Sequence, residues 1–351
     1  MAAPRIWLLS AYAAPSHRSW ADWLVDGHPD YHWRRFELPG RHFRWRIRGN
    51  PLSWLDALPQ DVPDRLIATS MVDLATLKGL HPRLASVPTY YYFHENQFAY
   101  PVSERQFRSV DPQMVQLYGA LAADRLLFNS AFNRDSFLDG IEQLLARMPD
   151  QVPNSVRERL CSRTTVCPVP IRPVAAAPER DERLILWNHR WEYDKAPEVF
   201  TTAILELAER GIPFRLALLG ARHHGACESL ERLRAALPDR IVADGRVDEE
   251  TYRRLLGQAA IAVSTARHEF QGLAMLEAAS AGARPLVPDA LCYPEQYPDT
   301  YRYPPGDEQA LTDRLGEWLT GTLPAPVDVS AWHAGHLRPR WQTVLAGDPI
   351  A

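Results

Sequence analysis

Two carboxylates and two cations stand where they could act on one ligand. In the stretch TARHEFQGLAMLEAASAG, residues 265–282, Glu269 and Glu277 are separated by seven residues that are nearly all small or apolar. A strand ending in AIAVST and a helix from Gly272 to Ala281, with Gly282 as its stop, put Glu269 in the turn and Glu277 inside the helix. At about 1.5 Å of rise per residue, the two carboxylates lie roughly 12 Å apart along the axis. The backbone N–H groups of Gln271, Gly272 and Leu273 are unpaired helix-start donors facing the same space, so the turn favours an anionic or hydroxyl-rich ligand. A nucleotide sugar has the matching length, with sugar hydroxyls, a diphosphate and a ribose diol in line. Carboxylates suit diols because each accepts two O–H hydrogen bonds. An ordinary surface helix with two solvated glutamates has the same spacing.

The cations are in WNHRWEYDKAPE, residues 187–198, a strand-to-helix turn. Arg190 and Lys195, five apart, can converge on a diphosphate without a metal, the arginine as a planar fork and the lysine as a point charge. Asn188 in the same turn is a donor-side candidate. A solvated cluster of Arg190 and Lys195 with Glu192 and Asp194 is the plain alternative. In YYYFHENQFAYP an apolar strand stops at His94, Glu95, Asn96 and Gln97, four hydrogen-bonding side chains at the place where α/β sites are built. In YAAPSHRSW, Ser16 can cap a helix that His17 begins. The histidines include the neighbours His223 and His224 and the pair His333 and His336, but no zinc-type spacing occurs. Also missing are a GxSxG elbow, a GxxxxGK[ST] loop and a GxGxxG turn, which argues against acyl hydrolases, kinases and dehydrogenases.

The elements that must position these groups follow a βαβ rhythm, which implies parallel sheets covered by helices. The rhythm runs from RIWLLSAY to AFNRDSFLDGIEQLLARM, pauses in the proline-rich CPVPIRPVAAAPERDE, and restarts at RLILWNHR. This predicts an N-terminal Rossmann-like domain over 1–170, a linker over 171–182, a C-terminal Rossmann-like domain over 183–320, and a tail over 321–351; that the tail packs back on the first domain is an expectation the rhythm itself does not carry. Chain length fits two cores. No window approaches a bilayer span. Four scattered cysteines form no CxxC pair or secreted-type framework, which suggests a reducing cytoplasm. A formal charge of −4 gives no global sign of nucleic-acid binding. Locally, residues 32–48 hold six arginines against one acid. Read as a strand, RHFRWRIR places Phe43, Trp45 and Ile47 on one face and Arg44, Arg46 and Arg48 on the other. The arginines could hold phosphates, or could simply keep an edge strand from aggregating.

The E-x7-E order in STARHEFQGLAMLEAASAG resembles the signature of retaining glycosyltransferases of the GT-B fold, in the GT4 class, and NHRWEYDK is similar to the diphosphate clamp of that class. More narrowly, SHRSWADWL, RWRIRGNPLSWL, ATSMVDLATLKGLHP, FHENQFAYP, ILWNHRWEYDKAPE, STARHEFQGLAMLEA and YPEQYP, in that order, resemble the glycosyltransferase-like family of tRNA-queuosine α-mannosyltransferase. The resemblance implies two Rossmann-like domains facing across a cleft, and transfer of mannose from GDP-mannose to queuosine in a tRNA anticodon with retention of the α configuration. It also implies a metal-independent reaction. Carried onto this sequence, Glu269 would hold donor-sugar hydroxyls, Glu277 the ribose, Arg190 and Lys195 the departing diphosphate, and the backbone of Phe270, Gln271, Gly272 and Leu273 the sugar and phosphate. His94 would line the sugar site. Ser16, His17, Glu95, Asn96, Gln97, Arg44, Arg46 and Arg48 would serve the tRNA acceptor. One departure is the first loop, YAAPSHRS, which lacks the glycines frequent in the class. A related enzyme with a lipid, glycan or small-molecule acceptor, and a non-catalytic RNA-binding protein of the same fold, are the alternatives.

Overall fold

An apolar run with no polar face belongs to a strand covered on both sides of a parallel sheet, and IWLL near the N-terminus is such a run. The computed structural model describes residues 3–100, 109–220 and 227–348. In it β1 (Arg5–Ala13) buries Ile6, Trp7, Leu8 and Leu9 completely. There follow α1 (Pro15–Gly27), β2 (His32–Pro39), α2 (Phe43–Ser53), β3 (Arg65–Thr69), α3 (Leu74–Leu80), β4 (Thr89–Phe93), α4 (Asp111–Ala122), β5 (Arg125–Phe128), α5 (Ala131–Leu145), α6 (Val156–Cys161) and β6 (Thr164–Val166). The six strands pair in parallel in the order β2-β1-β3-β4-β5-β6. Trp7, Tyr91, Phe93, Phe128 and Phe137 centre the core of one face.

The second sheet is built from β7 (Asp181–Trp187), α7 (Pro197–Glu209), β8 (Arg215–Leu219), α8 (Glu228–Ala236), β9 (Ile241–Gly245), α9 (Glu249–Gln258), β10 (Ala259–Val263), α10 (Leu273–Ser280), β11 (Arg284–Pro288), β12 (Arg302–Tyr303) and α11 (Glu308–Thr320). Its order is β12-β11-β10-β7-β8-β9, again parallel throughout. The order reverses between β7 and β10, and such a reversal opens a crevice at the carboxyl ends of the two strands.

The chain divides into one compact unit comprising residues up to Val169 and from Arg338 on, and a second comprising Pro170–Leu337. The last helix, α12 (Ala334–Ala346), thus gives most of its length to the first unit. There Trp341 is fully buried, 5.7 Å from the Trp20 ring and 5.4 Å from that of Tyr92, and its indole N–H donates to the Pro168 carbonyl at 3.3 Å. Beyond it, Arg65 donates to the carbonyl of Leu345, and Arg125 to those of Gly347 (2.8 Å) and Asp348 (2.6 Å). Both guanidinium groups lie over the Tyr90 ring. Cations thereby satisfy the carbonyls that a helix end leaves open. In the second unit the segment expected as a linker is held down: Ile171 bridges to His333, Arg180 donates to the carbonyls of Ala259 (2.6 Å) and Ala281 (2.9 Å), and Asp181 already starts β7.

Two local expectations are corrected. RHFRWRIR is not a strand; its last six residues open α2, and the strand of that region is β2, which ends at Pro39, before the alternating stretch begins at Arg41. Over six residues, alternation and helical periodicity predict nearly the same apolar positions. What decides is Phe43, Ile47 and Asn50 at helical spacing, with Ile47 and Asn50 buried and the Asn50 amide donating to the Met71 carbonyl at 3.2 Å. Ser16 is not a cap. The helix starts at Pro15, whose missing N–H needs no acceptor, and Ser16 lies exposed in its first turn. His223 and His224 lie outside the described residues. No described helix is long and apolar enough to cross a membrane.

Candidate active site

Asn188, His189 and Arg190 leave the end of β7, and residues 264–272 leave the end of β10, so the two loops meet at the reversal point of the second sheet. The loops are stitched together by backbone bonds from Arg267 and His268 to the Asp194 carbonyl, and by the Thr265 hydroxyl, which donates to the carbonyls of Lys195 (2.8 Å) and Ala196 (3.0 Å). Between them lies a pocket of about 230 Å³ lined by Asn188, His189, Arg190, Lys195, Glu269, Leu273 and Ala274. The backbone beside it requires a glycine just after β8. Gly220 has φ +110, and a Cβ there would come within 2.0 Å of the His189 carbonyl.

Lys195 is 7% exposed, and its ammonium lies 2.7 Å from the His268 carbonyl, 3.1 Å from Glu269 Oε2 and 3.4 Å from Asp194 Oδ2. Burial opposes its charge, but the carboxylates of Glu269 and Asp194 outweigh burial and raise its pKa. Arg190 is 45% exposed and lies 2.7 Å from Glu192 and 3.5 Å from Asp194. The charge cluster therefore exists, but it is solvated chiefly at Arg190 and Glu192, while Asp194 and Lys195 are buried. Glu269 shows the same balance as Lys195 with the direction of the shift reversed. Burial would push it up, yet Lys195, His189 and the Gly272 N–H hold it at about 2. The Phe270 N–H also reaches its carboxylate, at 3.2 Å. This corrects the expectation for one of the three helix-start donors Gln271, Gly272 and Leu273: the Gly272 N–H, like that of Phe270 before it, already faces an anion of the chain itself. Gly272, with φ +65, has a Tyr293 ring carbon 2.9 Å from where its Cβ would be, and Gln296 donates to the Gln271 carbonyl at 2.6 Å. The turn is thus fixed from below.

Glu277 accepts a hydrogen bond from the Tyr252 hydroxyl at 2.9 Å, and burial raises its pKa. The Asn188 amide donates to the Ala274 carbonyl at 3.0 Å and to the Tyr252 oxygen at 3.4 Å, while its own oxygen is buried without a partner. His189, Tyr252, Gly220 and Gln296 were not expected from sequence. Only Gly220, a glycine closing an apolar strand, carried a local signal.

In the first unit, His17 and His94 stack at 4.0 Å between ring centroids. His17 Nδ1 donates to the Tyr12 carbonyl at 2.9 Å, which leaves its other nitrogen as an acceptor on a neutral ring. His94 Nε2 is buried without a hydrogen-bond partner. Asn96 is a correction. Its amide group is shared among the Asn133 carbonyl, the Asn133 side-chain oxygen and Ser136, and its oxygen accepts from the N–H groups of Phe98 and Ala99, so it braces the loop and has nothing left for an acceptor. Gln97 and Glu95 contribute main-chain groups to the same brace, through Gln116. Arg48 pairs with Asp73 at 2.7 Å, and Arg46 reaches Ser53.

Burial lowers the pKa of both His17 and His189 to about 4. Their unfolded counterparts titrate near 6.5, so below that pH the unfolded chain takes up protons that the folded chain refuses. Stability is expected to be complete above about pH 6.5 and to fall as pH drops toward 4. Thermal unfolding followed across that window checks this, and a constant midpoint would contradict neutral, buried rings.

Cations and carboxylates gathered at the reversal point of one of two doubly wound units are the arrangement of a glycosyltransferase of the GT-B class. Residues 182–320 match the family model of glycosyl transferases group 1. The fold is shared with the lipopolysaccharide outer core galactosyltransferase WaaB in its apo form (TM-score 0.68, 11% identity, covering 98% of this chain and 99% of that one). It is also shared with the sucrose-phosphate synthase of Thermosynechococcus elongatus (TM-score 0.68, 16% identity, covering 97% and 94%). Residues 5–171 match the model for the tRNA-queuosine alpha-mannosyltransferase N-terminal region. A tRNA-queuosine alpha-mannosyltransferase of Drosophila melanogaster is 35% identical over 328 residues, covering 90% of this chain and 86% of the fly protein. The chain belongs to the tRNA-queuosine alpha-mannosyltransferase family.

Proposed function

We propose that the protein transfers mannose from GDP-mannose to queuosine in tRNA, in the cytoplasm and with retention of the α configuration. The observation that carries the chemistry is buried Lys195 paired with partly exposed Glu269, with half-exposed Arg190 lining the same pocket. Family membership and the fly relative's name support the substrates. Glu269 receives hydroxyls of the donor sugar, Glu277 the ribose diol, and Asn188 and the backbone of Phe270 to Leu273 orient the donor between them. The bond from the anomeric carbon to the diphosphate oxygen breaks as the acceptor oxygen bonds to the same face of that carbon. The acceptor proton passes to the departing phosphate oxygen. Arg190 and Lys195 stabilise the charge that develops there, which is electrostatic preorganisation with no protein nucleophile. His94 and His17, both neutral, bound the acceptor side without adding charge.

Incubation with labelled GDP-mannose and queuosine-containing tRNA is expected to put label on the queuosine nucleoside. Arg190→Ala is expected to lower turnover about 10²- to 10³-fold, as loss of one oxyanion donor does. Unchanged turnover in the folded variant would remove Arg190 from the reaction. Label appearing on a lipid or glycan but never on tRNA would move the protein to a different acceptor class.

A further inference from the structure

The indole of Trp45 lies flat on its own helix. A Cβ placed on Gly49 would sit 2.4, 2.6 and 2.7 Å from three adjoining ring atoms, Cε2, Cζ2 and Cδ2. Near-equal distances to three contiguous atoms put that point over the face of the ring and not beyond its edge. One face of the indole therefore rests on the glycine, and the residue is 55% exposed. A glycine inside a helix costs about 1 kcal/mol against alanine, and here it is what lets the ring lie down. Phe43 and Ile47, its partners in the alternating pattern, turn inward instead.

The surroundings are cationic. Residues 41–48 hold four arginines and no acid. Arg48 is offset by Asp73, and Arg46 is held at Ser53. Arg41 and Arg44 are exposed and have no side-chain hydrogen bond or ion pair among the described residues. The helix also begins beside the acceptor-side histidines of its own unit, since Phe43 packs edge-on against Tyr12, whose carbonyl holds His17.

We propose that Trp45 is a stacking platform for an unpaired base in the loop of the RNA acceptor, with Arg41 and Arg44 receiving the phosphates beside that base. A flat aromatic face next to unpaired guanidinium groups fits single-stranded RNA, because every base has a π-face and every linkage a negative charge. A protein partner would gain little from cations with no carboxylate to oppose them on this helix. The proposal rests on the reading of tRNA as acceptor.

Binding of an anticodon stem-loop RNA and of a fully paired RNA hairpin to the full chain tests it, in the wild type, Trp45→Ala, Trp45→Phe and Arg41→Gln/Arg44→Gln. Trp45→Ala should weaken stem-loop binding about 5- to 150-fold, the range for one stacked base, and leave its salt dependence unchanged. Trp45→Phe should restore most of the loss. The arginine pair should instead flatten the salt dependence, by roughly 0.7 in slope per lost single-strand contact. The thermal shift with GDP-mannose should stay at the wild-type value in all three. Equal binding of the stem-loop by wild type and Trp45→Ala overturns the platform and leaves the tRNA reading standing, as does an equal loss on the paired hairpin. A wild type that transfers label to no tRNA overturns the reading on which the platform rests.

Discussion

Lys195→Met is expected to abolish measurable transfer and to destabilise the second unit by about 3–5 kcal/mol, the range for breaking a buried ion pair. The ammonium is the shared counter-charge of Glu269 and Asp194, at 3.1 and 3.4 Å. Methionine keeps the length of the side chain and removes the charge, so the loss is electrostatic and not a cavity. Buried Asp194 and partly exposed Glu269 are then both left without the counter-charge they shared. Glu269, held at about 2 in the wild type chiefly against its own burial, should titrate well above that value. The destabilisation should accordingly shrink as pH falls toward the ordinary carboxylate range and Glu269 takes up a proton. Adding Glu269→Gln to Lys195→Met should recover part of the stability but none of the transfer. Denaturant titrations of the four proteins of this cycle give the coupling directly. A singly substituted chain as stable as wild type would mean that the pair is not a pair.

Trp341→Ala is expected to cost about 3–5 kcal/mol, as truncation of a buried tryptophan does, and to act on the first unit although position 341 follows the whole of the second. The ring is enclosed by Trp20, Trp23 and Tyr92, and its N–H is bonded to the Pro168 carbonyl. Tyr92 in turn packs edge-on against His94. Loss of the indole should therefore loosen the acceptor side before it affects the donor pocket. Two unfolding transitions are expected. GDP-mannose should raise the one that Trp341→Ala leaves alone. A single transition displaced as a whole, or a loss below about 1 kcal/mol, would contradict this arrangement.

The strands that were legible beforehand were those buried on both faces. YYYF of β4, LILW of β7 and AIAV of β10 contain no charged residue, and with their short length and flanking turns they read as central parallel strands. The edges were less legible, β9 excepted, whose RIVADG reads as a strand. β6 is three residues long and half-buried and β12 has two residues, while β11, interior between β12 and β10, carries prolines at 285 and 288 that argue against a strand. β2 alternates polar with half-buried residues in a stretch whose arginines drew attention as charge and not as an edge. For the site, Arg190, Lys195 and Glu269 could be named because each lies in a loop that follows a strand periodicity reveals, and Glu277 because it lies in the helix that the second of those loops opens. Tyr252 and Gln296 could not. They touch Glu277 and Gln271 from elements that nothing local ties to those positions. Asn96 had the right type and place for a ligand, but its bonds to Asn133 and Ser136 come from a helix whose approach the sequence does not reveal.

A ribosome must make the two units in an order that the fold does not respect. The second unit, Pro170–Leu337, leaves the exit tunnel as one continuous piece, whereas the first is interrupted after Val169 and resumes only at Arg338. At about 5–20 residues per second, the interval is on the order of 10–35 s. Throughout it Trp20 and Tyr92 lack the ring that covers them, so the part of the chain born first is completed last. Nascent chains arrested before residue 338 should be held by chaperones through their first half while their second half is already native.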